Sequence, residues 1–483
     1  MEFRYRNVVL RDMREADIED EIRWNTLETQ WAQWDAPWES LEELKHFDPD
    51  AHRRAELEYL KKPKPELRST LEMDTETGVH IGSTASYFVD QDFNWIPKGQ
   101  PGQRRALGLD ISESRYWGQG LGTQALAAWI LYFLEHGEEE LYLQTWSGNT
   151  RMIRCAARLG FREVCRKPKL RQVGGQDFDG LTFCLDVPAF QRYLLEENLK
   201  DLALTPATQG AVLAAYDAKP GYYEAAAPGT YQGEVPDFPI CRKSPLERLV
   251  LWSCYMTRVR RKYQARGVSH RVFLDTVSDI ALRAGLYEAR TGKPGLAKAD
   301  AIWFRHIHNA VIFRLGSLKF QLFDIIYLDQ EGCGEAYMTF AQEQKARLPQ
   351  GTPVLNLHIP KGADLSPAAV EQALDQAMEF FPQVFPEHRA RAFLCYSWLL
   401  YPGLRELLPA GSNILQFAAR FRVIGQTQDP AESIRRIYGK RFPRRGDYPQ
   451  DTQLQRQALG RFSCLGEACG ILEIPTPWIS QME

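Results

Sequence analysis

No apolar run in the 483-residue chain reaches the length of a membrane span, and its opening stretch, "MEFRYRNVVLRDMREAD", is charged from the start. A bilayer crossing needs about 20 consecutive apolar residues, and a signal peptide needs an uninterrupted apolar centre, so neither is expected. An excess of one charge is also missing. Lys and Arg number 59 against 62 Asp and Glu, and the formal net charge of −3 gives no footing for a polyanion such as nucleic acid. The basic runs at 258–266 and 440–445 are short enough to be solvated faces. Nine cysteines, an odd number, are scattered from Cys155 to Cys469 without one CxxC, which argues against a disulfide framework and against structural zinc. The expectation is a cytoplasmic protein without membrane, nucleic-acid or metal partners. Composition leaves its oligomeric state open.

What is present is an ordinary globular composition, 44% hydrophobic, 12% aromatic and 25% charged, over a length that implies roughly two to four domains. Up to about residue 195, strand-like and helix-like stretches alternate. Residues 4–10 read as a strand and 15–29 as a helix; 67–73 and 79–89 flank "DTETG" as a hairpin. Strands at 105–111 and 141–146 enclose a helix ending near residue 135. A second helix at 149–159 is closed by Gly160, and strands at 161–165 and 181–186 follow. This pattern is α/β (α+β). From 205 to 245 the texture turns to Ala, Gly, Pro and Tyr, as in "AAAPGTYQG", which reads as a linker. Residues 245–286 are mainly helical, and the remainder repeats the earlier rhythm. Paired strands at 310–328 and a strand at 354–359 lead to a helix at 366–381, with Ser366 as N-cap and Pro367 at its first position. A strand at 392–400, a short helix at 413–421 and another strand complete it. The expected division is 1–198, a linker at 199–245, a helical domain at 246–300 and a second α/β domain at 301–470.

The stretch "YWGQGLGTQALAAWI" at 116–130 places Gly118, Gly120 and Gly122 directly before an apolar helix. Glycines let main-chain N–H groups approach a ligand closely, and a helix N-terminus adds partial positive charge, so the junction suits phosphate. Together "LDISESRYWGQGLGTQAL", "LYLQTW" and "NTRMIRCAARLGF" resemble the GNAT superfamily of acyl-CoA N-acyltransferases. The style is that of the branch containing ribosomal-protein N-terminal acetylases and aminoglycoside 6′-acetyltransferases, which "VVLRDMREADIEDEIRWN" and "WDAPWE" also resemble.

The resemblance covers about residues 3–190 and implies acetyl-CoA as co-substrate. It implies that main-chain groups of Gly118, Gln119, Gly120, Leu121, Gly122 and Thr123 hold the pyrophosphate. Trp117 stands where Gln or Arg is usual. The main chain of Leu109, Asp110 and Ile111 would hold the pantetheine arm on a splayed strand, and Asn149 would contact the cofactor. A helix N-cap is the other reading of Asn149. Ala156 occupies the place of the family's proton-donating Tyr and Met152 that of a Ser, so no general acid is assigned.

Amine attack on a thioester is helped by a general base near neutral pKa. Asp110 is the first candidate, against a solvated strand-end carboxylate; Glu76 and His80 are weaker. Trp24, Trp31, Trp34 and Trp38 either frame a cationic amine or pack a core.

Residues 246–425 resemble a bacterial acyltransferase's helical N-terminal domain and its GNAT-like C-terminal partner, through "RRKYQARGVSHRVFLDTVSDIALRAGLYEARTGKPGL" and "LHIPKGADLSPAAVEQALDQAMEFFP". There "IPKGADLSP" offers only Gly362, while Pro360 and Pro367 remove donors, which implies a degenerate GNAT fold. Ser366 and its helix remain an anion-binding candidate. His358, Cys395 and Ser397 are the reactive side chains near strand ends, and His306 and His308 would share one side of a strand. The function expected is acyl transfer to a primary amine of a small molecule or peptide. The alternative is a CoA- or peptide-sensing module without turnover.

Overall fold

The computed structural model describes residues 1–97 and 104–474, which form two compact units. None of the described helices is long and apolar enough to cross a membrane.

The first unit, Met1–Ala265 with Ala284–Lys298, is built on one sheet. Its strands are β1 (Glu2–Tyr5), β2 (Val8–Arg11), β3 (Thr70–Thr75), β4 (His80–Val89), β5 (Trp95–Ile96), β6 (Arg104–Ile111), β7 (Leu141–Trp146), β8 (Phe161–Val173) and β9 (Gln176–Leu185). They lie in the order β1-β2-β3-β4-β6-β7-β9-β8, with β5 paired to β4. Residues 4–10 are thus a tight hairpin rather than one strand, because Arg6 turns the chain at φ 54°.

Helices α1 (Asp17–Thr26), α2 (Pro37–Glu43) and α3 (Pro49–Leu60) fill the β2–β3 connection. β6 and β7 are parallel, so a crossover is required, and α4 (Leu121–Glu135) supplies it. Ala125 through Ile130, with Tyr132 and Phe133, are fully buried, and the Trp129 indole donates to the Ala85 carbonyl at 3.0 Å. α5 (Thr150–Arg158) follows β7.

The feature that shapes the site is where pairing stops. β6 and β7 match only at Arg105↔Leu141, Ala106↔Tyr142 and Leu107↔Leu143. β6 stays paired to β4 as far as Gly82↔Ile111, and β7 to β9 as far as Trp146↔Gly180. Each strand is held by its outer neighbour while the inner ladder ends. The two therefore diverge.

The segment read as a linker is folded. α6 (Val187–Leu202), α7 (Pro206–Asp217) and α8 (Tyr222–Ala226) lead to α9 (Pro245–Ala265), and Val212, Tyr216, Tyr223, Ala227, Tyr231 and Ile240 are buried. The Trp252 indole donates to the Tyr231 hydroxyl at 2.7 Å. Ala, Gly and Pro mark short helices and their ends here, while the widely spaced aromatics supply the burial.

α10 (His270–Thr291) begins in the second unit, which comprises Arg266–Arg283 and the chain from Ala299. Its strands are β10 (Ile312–Leu315), β11 (Leu318–Asp324), β12 (Thr339–Phe340), β13 (Pro353–His358), β14 (Ala392–Ser397), β15 (Arg422–Thr427) and β16 (Glu467–Glu473). The order is β10-β11-β13-β14-β16-β15-β12. Here too the parallel pair is brief, β13 meeting β14 only at Leu355↔Phe393 and Asn356↔Leu394. The fold is mixed α/β throughout.

Candidate active site in the N-terminal unit

A cavity of about 1320 Å³ occupies the gap between β6 and β7 and is lined by Gly108, Leu109, Asp110 and Ile111 on one side and Gln144, Thr145 and Trp146 on the other. Gly82 fixes which main-chain groups of β6 face it. A Cβ there would stand 2.1 Å from the Asp110 carbonyl oxygen, so that carbonyl points at β4. Successive strand residues point their main-chain groups to opposite edges, so Leu109 and Ile111 face the gap. The Ile111 carbonyl already accepts from the Trp117 indole N–H at 2.7 Å.

Trp117, Gly118, Gly120, Leu121, Gly122 and Thr123 line the same cavity, which places the glycine loop beside the splay. Gly118 and Gly120 adopt φ +76° and +80°, a region costly for side chains, and Gly120 is the N-cap of α4 without any side-chain cap. The first-turn N–H groups have no intrahelical partner and point toward the cavity end of the helix. Gln119 turns its amide away, donating to the Arg115 carbonyl at 2.8 Å.

Asn149 is the N-cap of α5. Its Oδ1 caps α5 by accepting from the Met152 N–H at 3.0 Å. Its Nδ2 donates to the Trp34 carbonyl at 3.0 Å, an oxygen that also accepts from the Trp146 indole at 3.0 Å. The tryptophan segment is thereby tied to the splay. Arg151 lies 4.1 Å from the Trp34 ring and 4.3 Å from the Trp117 ring, a guanidinium held between two indoles. Met152 and Cys155 line the cavity, with the Cys155 thiol donating to Thr123 Oγ1 at 3.5 Å, whereas Ala156 is fully buried.

Asp110 is walled in by protein yet half-buried, because one side opens on the cavity. Burial raises its carboxyl from the ordinary range to about 7; Ser112 Oγ, donating at 2.6 Å, and the Ile111 main chain oppose this, and the charge of Asp35 adds to it. Sequence reasoning missed Asp35, which lines the cavity, and also the lining residues Tyr87 and Gln144, joined hydroxyl to amide oxygen at 3.2 Å.

The weaker base candidates fall elsewhere. His80 is buried between Glu72 (3.1 Å), Asp20 (3.2 Å) and the Trp24 ring, and neither it nor Glu76 lines the cavity. Trp24 is core, donating to Glu113 at 3.0 Å, while Trp31, Trp34 and Trp38 line the cavity. Glu21, His52 and Glu56 bring ligand-type atoms within 4.8 Å of one another, outside the cavity lining; His52 pairs with Glu21 at 2.8 Å.

In the second unit, His306 and His308 belong to the short helix Arg305–His308, not to a strand, so two-residue spacing does not align them. His306 and His358 bracket Gln321 at 3.1 and 2.8 Å, and burial holds them neutral, near 4 and 3. Cys395 is buried, and Ser397 Oγ accepts from the Leu399 N–H at 3.1 Å. Ser366 forms no side-chain cap on the helix Pro367–Val384; its own N–H bonds to the Asp364 carboxylate at 2.8 Å, so a protein anion already sits at that helix start.

A splayed parallel pair beside a glycine-capped helix is the geometry of a GNAT acyltransferase domain. Residues 7–162 match the family model for the acetyltransferase (GNAT) domain, 194–309 that for the N-acyltransferase N-terminal domain, and 312–471 that for the GNAT-like C-terminal domain. The first unit thus carries a GNAT acetyltransferase domain, the first of three domain matches in tandem along the chain. The second match, 194–309, runs straight through the stretch at 199–245 that composition reads as a linker.

Among solved structures, an acyltransferase in complex with decanoyl-CoA and teicoplanin is 21% identical over 58% of this chain and 88% of its own, with a TM-score of 0.46. A GNAT-family acetyltransferase from Bacillus anthracis is 13% identical over 38% and 98%, with a TM-score of 0.30. A ribosomal L7/L12 alpha-N-protein acetyltransferase in complex with coenzyme A is 12% identical over 38% and 97%, with a TM-score of 0.29. No curated protein matches the chain.

Proposed function

We propose that the N-terminal unit moves an acyl group, acetyl first among donors, from CoA to a primary amine by direct transfer. The observation that carries this reading is Asp110, a carboxyl raised to about 7 on the rim of the splay, next to a phosphate-suited helix start. Main-chain N–H groups of 118–123 bind the pyrophosphate at the positive end of α4. Leu109, whose main chain faces the gap, takes the pantetheine arm together with Ile111, whose carbonyl keeps one lone pair beside the bond from Trp117. Asn149 acts toward the donor through its hold on the Trp34 segment.

In the reaction the Asp110 carboxylate takes a proton from the ammonium form of the acceptor. The freed lone pair attacks the thioester carbonyl, the C–S bond breaks, and the amide forms. The CoA thiolate leaves as thiol with the second amine proton. A carboxyl near 7 suits this exchange, because a strong acid would hold the proton too weakly. The acceptor is an amine on a small molecule or peptide, placed at the aromatic end of the cavity. Titration calorimetry with acetyl-CoA and thiol release with a panel of primary amines test the reading. Donor binding without thiol release for any amine would make the unit a sensing module instead.

A further inference from the structure

A simple primary amine is almost wholly protonated at neutral pH, so an N-acyltransferase must bind a cation and then deprotonate it. One carboxylate does both poorly: the tighter its grip on the ammonium, the more firmly the proton stays on nitrogen. A division of labour needs a second anion beside the first.

Asp35 stands in that place. It follows Trp34 and precedes Ala36, whose left-handed backbone (φ 41°, ψ 57°) turns the chain into α2 and leaves Asp35 on the cavity wall. Asp35 is exposed, and its carboxylate makes no hydrogen bond or ion pair among the described residues; the protein packed around it and the charges of Glu39 and Glu43 raise its pKa above the ordinary carboxylate value. Its own charge reaches both Asp110 and Tyr87. Trp31, Trp34 and Trp38 line the wall around it. The cations of the cavity lining have partners other than Asp35 within the same wall: Arg151 between Trp34 and Trp117, Lys167 on Asn94 Oδ1 at 2.7 Å, and Arg171 over the Trp38 ring at 4.8 Å. Arg154, on α5, also lines the cavity.

The geometry points to Asp35 as the group that docks the acceptor as an ammonium ion, leaving Asp110 to take the proton. This rests on the function proposed above. Asp35 is a positioning residue: it gives no proton and forms no bond to the substrate carbon. It selects acceptors by charge, so a cationic amine is preferred over a neutral nucleophile of similar reach. Of the aromatic walls, Trp34 already carries Arg151 and Trp38 carries Arg171, so Trp31 is the ring that can add a face for the same cation.

The test compares Asp35→Asn and Asp35→Glu with the unaltered full-length protein, using acetyl-CoA with pentylamine, a cation at neutral pH, or hydroxylamine, which is uncharged there. Losing one charge-assisted contact should raise KM for pentylamine about 10- to 100-fold in Asp35→Asn while kcat changes less than about 3-fold. The KM for hydroxylamine should stay the same, and Asp35→Glu should recover most of the loss. Equal losses for the two nucleophiles would show that Asp35 only shapes the wall, and would overturn the inference. A second measurement needs no turnover: pentylamine is titrated calorimetrically into the CoA-bound protein. Weaker binding by Asp35→Asn supports docking, and equal affinity, or no binding by the unaltered protein, overturns it. Pentylamine binding without thiol release would leave the docking role standing and remove the proposed catalysis.

Discussion

The Trp117 indole donates its N–H to the main-chain carbonyl of Ile111 across 2.7 Å, joining the glycine loop to the end of the splayed strand. The loop that suits phosphate and the strand that suits the pantetheine arm are therefore one rigid corner. Trp117→Phe keeps a ring against Arg151 and removes only the donor. The loss of one such bond is worth about 1 kcal/mol, so a donor Kd about 3- to 10-fold weaker is expected by calorimetry. Unchanged affinity would show the bond to be incidental to the site.

Gly120 sits at φ +80° as the N-cap of α4, so substitution there mixes strain with charge. Asparagine tolerates the left-handed region better than most residues, which makes it the control. Gly120→Asp should weaken donor binding at least about 100-fold through like-charge repulsion, and Gly120→Asn by about 10-fold at most. Equal losses would assign the effect to backbone strain.

Asp110 acts only when ionised, and its carboxyl is raised to about 7. The rate should climb with pH through an acidic limb centred near 7. Asp110→Asn should abolish that limb and lower kcat about 10²- to 10⁴-fold, with donor affinity nearly unchanged. A retained limb would place the base elsewhere. The same shift has a stability consequence. Below the unfolded carboxyl's pKa both states are protonated and burial costs nothing extra; above about 7 both are ionised and the full penalty is felt. Asp110→Asn should therefore raise the melting temperature at pH 8 and barely move it at pH 4.

His80 is pulled two ways. Burial lowers its pKa, but the Glu72 hydrogen bond and the charges of Glu72 and Asp17 win, leaving it raised above 6.5. A raised folded-state value means the imidazolium stabilises the fold below the unfolded pKa, and the contribution fades as pH rises through the folded one. His80→Gln should accordingly lower thermal stability more at pH 5.5 than at pH 9. Turnover per folded molecule should be unaffected, since His80 does not line the cavity.

Residues 225–233 read as cleavable linker, yet Ala227 and Tyr231 are buried and Tyr231 accepts the Trp252 indole. Limited proteolysis of the native protein should spare this stretch. Rapid nicking there, with release of a soluble N-terminal fragment, would contradict the packing.

The glycine loop, the helix behind it and the flanking strands are legible because they depend on neighbours within a few positions. Leu141–Trp146 matches the sequence reading at both ends, and α5 begins at the Asn149 cap as its spacing implies. Errors arise where local texture is ambiguous. Ala-Gly-Pro composition describes both a linker and short helices, and the buried Tyr223 and Tyr231 decide between them. His306 and His308 fit a strand by spacing, but the chain there is one helical turn.

By itself, the sequence determined the fold class, the position of the phosphate-suited corner and the candidacy of Asp110. The first two follow from residue type and short-range spacing, where steric and capping preferences act directly, and the candidacy of Asp110 from the splayed strand that the family resemblance implies. Tertiary structure alone decided that Asp35 and Asp110, 75 positions apart, share one cavity, that Trp117 donates to the Ile111 carbonyl, and that His80 belongs to a buried charge cluster. A carboxylate's pKa and a carbonyl's availability depend on which distant groups the sheet brings within a few ångströms. No periodicity along the chain encodes that.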